Sequence, residues 1–378
     1  MRLLVLYQAL DSAQDHPGYY YGFERLVREG ALRAHAAIAY YQVVQQRGWA
    51  GLWAEAARAA QAMESDAIFL QWFHLGKIPD PTPGIVRLQS LPHRPTVFAS
   101  LGDPFGRWSK RVPQCFRAAS RRSDVSFLTG MGYIAQQLRG WGSRNLVLMP
   151  NGCCQARFAS PVQPSDNPQF DVVFIGSRLR PRNPLGHHFW VARRRVQLVE
   201  VFTRRYGRRF GLFGPGWEGN PSWQGPVAYN SQHQAYRDAA VALGGLPHAY
   251  HDYYTSDRVF IATASGVPLV DYAVPGVERI LQPGVDWWLA RDIAGMIAGC
   301  DRLLAMSAPE RLALGQRARE RTLASHTQYH RCREMVEIVR RVRAARLAGR
   351  RAREPRLSFL TQVTPGQAVP PAIVAWQG

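Results

Sequence analysis

The sequence predicts an α/β protein of two domains, each built on a parallel sheet. Three observations predict it: short apolar runs alternate with helical stretches, the pattern halts at a turn, and it then starts again. In the first half Leu3–Leu6, Ala67–Leu70, Thr96–Ala99, Val125–Leu128 and Asn145–Met149 read as strands, and Phe23–Ala37 has helical spacing. Short apolar strands bounded by helices are those of a parallel sheet covered on both faces. Pro150-Asn151-Gly152 is a turn signal, and the Pro-, Ser- and Asn-rich stretch Ser160–Pro168 reads as a linker. The second half opens on Asp171–Gly176, a strand running into a glycine. Strands at Arg209–Phe213, Ala240–Leu243 and Val267–Tyr272 follow, with helix over Arg258–Ala264 and throughout 308–346. The expected domains are 1–158 and 169–330, followed by a basic C-terminal helix at 331–351 and an extended tail at 352–378.

Composition narrows the class. At roughly 150 residues per domain, 378 residues suit two domains. With 46 % hydrophobic and 20 % charged residues, the chain can build sizeable cores. No apolar run approaches the roughly 20 residues that span a bilayer, and Met1–Tyr7 is too short for a secretory signal. The expected setting is cytoplasmic, soluble or peripherally bound to a membrane. Cys115, Cys153, Cys154, Cys300 and Cys332 are odd in number and scattered, which argues against a disulfide framework and shows no metal-ligand spacing. The net charge is +20, carried almost wholly by arginine, since Lys77 and Lys110 are the only lysines. Such a balance points to a polyanionic partner or surface.

Several motifs agree in order and spacing. The segment Tyr254–Val270 reads YTSDRVFIATASGVPLV and leads to the turn Pro275-Gly276 with Glu278 beyond it. Upstream stand two glycine turns after strands, Phe174-Ile175-Gly176-Ser177 and Phe213-Gly214-Pro215-Gly216-Trp217. With Gly284, the helix Ala308–Leu323 and His326–Arg331, these resemble group 1 glycosyltransferases, most of all the CgeB-like (spore-maturation) branch. The resemblance is good over about 170–335 and looser before that, where Gly102-Asp103-Pro104 and Pro150-Asn151-Gly152 are its best points. It implies the GT-B fold: two Rossmann-like domains facing a cleft, with a C-terminal helix crossing back to the first. It also implies a nucleotide-sugar donor (UDP-, GDP- or TDP-sugar) as substrate, with no permanently bound cofactor. One departure stands out. Many members carry two glutamates eight positions apart, and the matching positions here are Tyr253 and Ile261.

The residues fit that chemistry on physical grounds. Glycine turns let backbone amides approach a diphosphate, and a helix N-terminus adds a favourable dipole. Gly176, Ser177 and Arg178 are therefore candidates for one phosphate. Ser256 and Arg258, opening a helix, are candidates for the diphosphate, Ser256 being equally an ordinary N-cap. Gly214, Gly216, Gly276 and Glu278 complete the expected donor site. Trp217 suits either stacking on the base or the core. No Asp-x-Asp motif is present, so we expect metal independence. For a general base on the acceptor hydroxyl, His74 and Asp103 stand at presumed strand ends, with Glu24 as a third choice.

The acceptor is less legible. Residues 178–209 hold ten arginines and one acid, 104–123 hold six basic residues and no acid, and 331–356 hold ten arginines and three acids. These clusters suit hydroxymethylated, phage-type DNA. They equally suit cell-surface or lipid-linked acceptors at an anionic membrane, or solvated faces. A rival from another class is a non-catalytic nucleic-acid-binding protein on a degenerate GT-B scaffold. The oligomeric state is not legible.

Overall fold

The computed structural model describes all residues except 74–77, 103–104, 107–109, 160–164, 166, 246–250 and 362–367. The chain runs β1 (Arg2–Tyr7), α1 (Ser12–Asp15), α2 (Pro17–Arg28), β2 (Ala34–Ala39), α3 (Tyr40–Ala62), β3 (Ala67–Leu70), α4 (Thr82–Gln89) and β4 (Thr96–Leu101). It continues through α5 (Gln114–Arg122), β5 (Val125–Leu128), α6 (Tyr133–Gly140), β6 (Leu146–Leu148) and α7 (Gln155–Phe158). The second set is β7 (Phe170–Ile175), α8 (His187–Tyr206), β8 (Phe210–Phe213), α9 (Gln232–Arg237), β9 (Ala239–Leu243), α10 (Asp257–Ala264) and β10 (Leu269–Tyr272). Then come β11 (Trp288–Ala290), α11 (Ile293–Leu304), α12 (Ala308–Ser325), α13 (Gln328–Leu347) and β12 (Ile373–Val374).

Two sheets result. The first has the order β12-β6-β5-β4-β3-β1-β2 and is parallel except for β12; the second, β11-β10-β9-β7-β8, is parallel throughout. Strands β3 to β6 are buried residue by residue, as an apolar run without alternation requires. Phe69 and Phe98 on neighbouring strands stack at 4.6 Å. In each sheet the strand order reverses once: beside β1 in the first, where β2 and β3 flank it, and beside β7 in the second, where β8 and β9 flank it. Crevices open at the carboxyl ends of strands at such reversals.

Four details differ from the sequence expectation. Helical spacing over Phe23–Ala37 breaks because Gly30 adopts a left-handed φ of 74° after α2, and the chain turns into the edge strand β2. The helix expected throughout 308–346 is two helices. Thr327 stops one and caps the other through a capping box with His330, because the chain here pairs with Cys153 (Cys153 N–H to His326 O 3.0 Å, Gln328 N–H to Cys153 O 2.9 Å). Strand β11, three residues long, was not foreseen. Nor was β12, by which the tail joins the edge of the first sheet antiparallel to β6.

The C-terminal helix does cross back: α13 packs on α2 of the first domain. Its anchor is Arg331, fully buried. The guanidinium donates to Pro150 O (2.9 Å), Asn151 O (3.2 Å), Ser325 O (3.3 Å) and His326 Nδ1 (2.9 Å). It also lies over the rings of Phe359 (4.7 Å) and Phe260 (5.7 Å). Burial pulls its pKa down to about 10, so it stays charged at neutral pH. Arg331→Ala should leave these carbonyls unpaired beside a cavity and cost about 4 kcal/mol of stability, read as a lower denaturant midpoint.

Candidate functional site

The glycine turns after β7 and β8 pack against each other. Gly176 N–H donates to Phe213 O (2.9 Å), and Arg178 N–H to Pro215 O (3.0 Å). Gly214, with φ 124°, has no room for a side chain: a Cβ there would lie 2.6 Å from Gly176 O. Gly216, with φ 88°, brings the chain against Arg178. Two of the amides expected to face a phosphate are thus spent within the turns. What residues 176–178 still offer is chiefly the side chains of Ser177 and Arg178. Trp217 is a correction as well. It is 3 % exposed, sits in the second domain's core, and its indole N–H donates to Gly176 O (2.7 Å). Its face is closed to a nucleobase, and its work is to hold the first glycine turn.

The segment 256–258 reaches the end of β7, while Arg178 lines a separate pocket with Arg180, Phe189 and Arg193. Ser256 is the N-cap of α10; its hydroxyl donates to Asp257 Oδ1 (3.0 Å), which also accepts from Arg258 N–H (2.9 Å). The Arg258 side chain turns back from the first turn of α10. Its Nε donates to Ile175 O (3.0 Å), the last carbonyl of β7, and its Nη1 to Ser256 Oγ (3.3 Å). Between these groups lies a pocket lined by Arg195, Gly244, Gly245, Ser256, Arg258 and Asp271. It opens where β7 and β9 end, at the reversal of the second sheet.

Two of its residues were not singled out from the sequence. Arg195 is 3 % exposed, and donates through Nε to Gly245 O (3.2 Å) and through Nη1 to Ser177 O (2.8 Å). Burial, with the Arg258 charge, lowers its pKa to about 9. A signal was present: of Arg193-Arg194-Arg195, only position 195 falls on the apolar stripe Val191, Leu198, Val199 and Phe202. Asp271, at the end of β10, accepts from Tyr272 N–H (2.8 Å). It presses so close to Gly244 that a Cβ there would lie 2.0 Å from its carboxyl carbon. Desolvation pushes its pKa up to about 7 against the pull of Tyr272 N–H, Arg258 and Arg195.

Gly276 and Glu278 line neither this pocket nor the cleft described below. Gly276, with φ 90°, makes room for the Tyr253 ring, to which a Cβ would approach 2.6 Å. Tyr253 N–H donates to Pro275 O (2.7 Å) and its hydroxyl to Pro370 O (2.5 Å), so it ties the 275–276 turn to the tail. Ile261 is fully buried. His74 and Asp103 lie outside the described residues. The Glu24 carboxylate accepts from His35 Nδ1 (2.7 Å), and His35 Nε2 meets Tyr7 Oη at 3.2 Å.

The domains touch near the pocket: Met131 N–H donates to Asp252 O (2.8 Å) and Asn151 Nδ2 to Thr255 O (3.1 Å). Beside this contact is an open cleft of about 500 Å³. Asp15, His16, Trp72 and Arg157 line one side, Tyr229, Asn230 and Asp257 the other. Among the described residues no three His, Cys, Asp or Glu side chains are grouped to hold a metal, and no helix is long and apolar enough to cross a membrane.

Asp271 carries a prediction. Its pKa is raised above the unfolded carboxylate value, so the folded state holds the proton more tightly. Stability therefore falls as pH rises from about 4 to about 7. Asp271→Asn should be more stable than wild type at pH 8, with the difference shrinking towards pH 5 in urea titrations.

Comparison with known proteins agrees with this fold. Residues 193–337 match a family model described as glycosyl transferase-like. That span includes Arg195, Ser256, Arg258, Asp271 and Arg331. No curated protein matches the chain. Among solved structures, one similar fold is an alpha-glucosyltransferase in complex with UDP and a 13-mer DNA containing an HMU base. It has a TM-score of 0.62 and 12 % identity, over 90 % of this chain and 99 % of that one. A sucrose-phosphate synthase from Thermosynechococcus elongatus aligns with TM-score 0.57 and 15 % identity over 91 % and 100 %. An alpha,alpha-trehalose 6-phosphate synthase from Burkholderia multivorans aligns with TM-score 0.57 and 14 % identity over 91 % and 99 %. The chain has the GT-B fold, and a glycosyl transferase-like segment builds most of its second domain.

Proposed function

We propose that the chain transfers a sugar from a nucleotide-sugar, held at the carboxyl ends of β7 and β9, to an acceptor hydroxyl entering from the interdomain cleft. One observation carries the reading: the Arg258 guanidinium reaches from the start of α10 to the last carbonyl of β7. Arg195, Ser256 and Arg258 line one crevice, and Arg195 donates to the backbone carbonyl of Ser177. Arginines held by carbonyl oxygens keep their positive charge, and a diphosphate leaving group develops negative charge during transfer. Ser177, Arg178, Ser256 and Arg258 are the proposed diphosphate ligands, with Arg195 behind them. On this account no metal ion is needed. UDP is the favoured nucleotide, in keeping with the UDP complex of the similar alpha-glucosyltransferase.

For the acceptor we favour hydroxymethylated DNA, which suits the net charge of +20 and the arginine-rich stretches. The CgeB-like affinity, the division at 1–158 and 169–330, and a cytoplasmic or peripheral setting belong to the same proposal.

Purified protein should release UDP, GDP or TDP from a matching nucleotide-sugar, undiminished by EDTA. Arg258→Ala should weaken donor binding at least a hundredfold by calorimetry. If Arg258→Ala binds every active donor as well as wild type does, the donor site is wrongly placed. Salt-sensitive duplex binding by a protein that turns over no donor would favour the non-catalytic alternative.

A further inference from the structure

Three basic stretches stand out in the sequence, and the structure separates them by where they lie and whether they are paired. On the C-terminal helix, Arg343 pairs with Asp66 (3.0 Å) and Arg346 with Asp124 (3.1 Å). These acids precede β3 and β5, so that cluster gathers at the amino ends of the first sheet, opposite to the strand ends that form the crevices. Arg340 and Arg341 share Glu337. The stretch 104–123 includes residues outside the described ones. In 178–209, Arg205 at the end of α8 pairs with Asp301, and Arg209 just beyond it with Asp171. Arg178, Arg180, Arg182, Arg193 and Arg194 are exposed, and among the described residues they are in no ion pair. No acid occurs from 172 to 199. Glu218 lies near Arg178 and Arg180, but its carboxylate accepts from Gly216 N–H (2.9 Å).

The loop that leaves β7 carries the first three of these arginines, at the same strand ends as the donor pocket. It faces α8. Arg178, Leu179, Arg180 and Pro181 form one wall of an open recess of about 540 Å³; Phe189, Ala192, Arg193 and Val196 form the other. The last four are spaced i, i+3, i+4 and i+7, a stripe of α8 distinct from the buried one at Val191, Leu198 and Phe202. Asn183 closes the tip of the loop: its side chain accepts from Leu185 N–H (3.0 Å) and its carbonyl from Gly186 N–H (3.0 Å). Leu185 is left 80 % exposed and Trp190 51 %. The Trp190 ring stands edge-on to Phe189 at 5.7 Å, and the Arg193 guanidinium lies 5.9 Å from the Trp190 ring centre. Flat rings and guanidiniums outside any ion pair are thus interleaved around one hollow.

We infer that this hollow, between the loop 178–185 and the first turns of α8, binds a strand of the acceptor DNA. The inference deepens the DNA-acceptor reading and rests on it. A guanidinium can fork two N–H groups onto phosphate oxygens, and a row of them follows a nucleic-acid backbone. Bases stack on aromatic faces whatever their sequence. The recess admits an unstacked nucleotide, with Phe189 and Trp190 beside the base and Arg180, Arg182, Arg193 and Arg194 beside the phosphates. An anionic bilayer fits less well. A flat interface does not enter a recess, and Leu185 with half of Trp190 offers little apolar area to bury. The position also serves the reaction. Arg178 follows Ser177, so a strand lying in the hollow passes beside the proposed diphosphate ligands.

The test measures binding of the full-length protein to labelled, unmodified DNA by fluorescence anisotropy, without donor, from about 50 to 300 mM NaCl. Removing four charges together (Arg180→Gln, Arg182→Gln, Arg193→Gln and Arg194→Gln) should weaken binding about a hundredfold or more at the lower salt. It should also reduce the slope of log Kd against log salt by about 3. Trp190→Ala should weaken single-strand binding about tenfold and leave that slope unchanged. A control of equal charge, Arg350→Gln with Arg351→Gln, Arg353→Gln and Arg356→Gln, should bind within about threefold of wild type. All of these residues are exposed, and an unchanged urea midpoint checks that each variant folds. If the two fourfold variants lose binding equally, net charge rather than this face attracts the DNA, and the inference falls. It falls too if wild type binds phosphatidylcholine–phosphatidylserine vesicles through the same arginines and Leu185 but does not bind DNA. A wild type whose DNA binding survives the first variant leaves the DNA-acceptor reading standing and removes this face. One that binds as expected but turns over no donor keeps the face and loses the sugar-transfer reading.

Discussion

The cleft of this protein depends on one buried cation. The chain passes between the domains twice, outward after Gly152 and back at His326–Gln328, and Arg331 sits where the two passages touch. A guanidinium removed from water needs an acceptor for each N–H, and few arrangements supply them. Here they are the carbonyls of Pro150, Asn151 and Ser325 and the ring nitrogen of His326. The outward strand is drawn so close that Gly152 leaves no space for a side chain against the His326 carbonyl, where a Cβ would lie at 2.9 Å. Domain spacing is thus set by hydrogen-bond geometry rather than by apolar contact alone. The tail, through Phe359 over the same guanidinium, is tied to that junction.

The same physics is repeated in the donor pocket. Arg195 and Arg258 are held mainly by backbone carbonyls, those of Gly245, Ser177 and Ile175. Carbonyl dipoles stabilise a cation without cancelling it, so Arg195 keeps its field, while the Asp257 carboxylate, 3.7 Å from the Arg258 guanidinium, offsets part of the other charge. Asp257 and Asp271 are the nearby acids, and Asp271 is partly neutral at pH 7 because burial opposes its ionisation. The glycine turns have a different task from the one their position suggests. Their amides bond one another, and Trp217 braces them from within the core. They place β7, Ser177 and Arg178 rather than wrap a phosphate themselves.

Much of the fold was legible in the residues. Ala67–Leu70 and Val125–Leu128 are strands at the limits their apolar runs suggest, because a central parallel strand is buried on both faces and its sequence says so. The edges were not legible. Strand β2 pairs with β1 alone and exposes part of its surface, so His35-Ala36-Ala37 carries no strand pattern. Strand β12 is two residues added to β6 from far along the chain, and only a neighbouring edge with free hydrogen-bonding groups explains it.

At the site, the sequence by itself determined the chemical kinds: a capped helix start at Ser256, an arginine in the first turn, glycines after strands, and an excess of positive charge. Those follow from local backbone rules and composition. Tertiary structure alone decided which of these groups face a common space. It turned Trp217 inward and closed the position of Ile261. It chose Arg195 from a run of three arginines, and it set His16 and Trp72 opposite Asp257. Convergence of side chains from distant segments is a property of how two sheets and a returning helix pack, and no local pattern encodes the direction in which a side chain finally points.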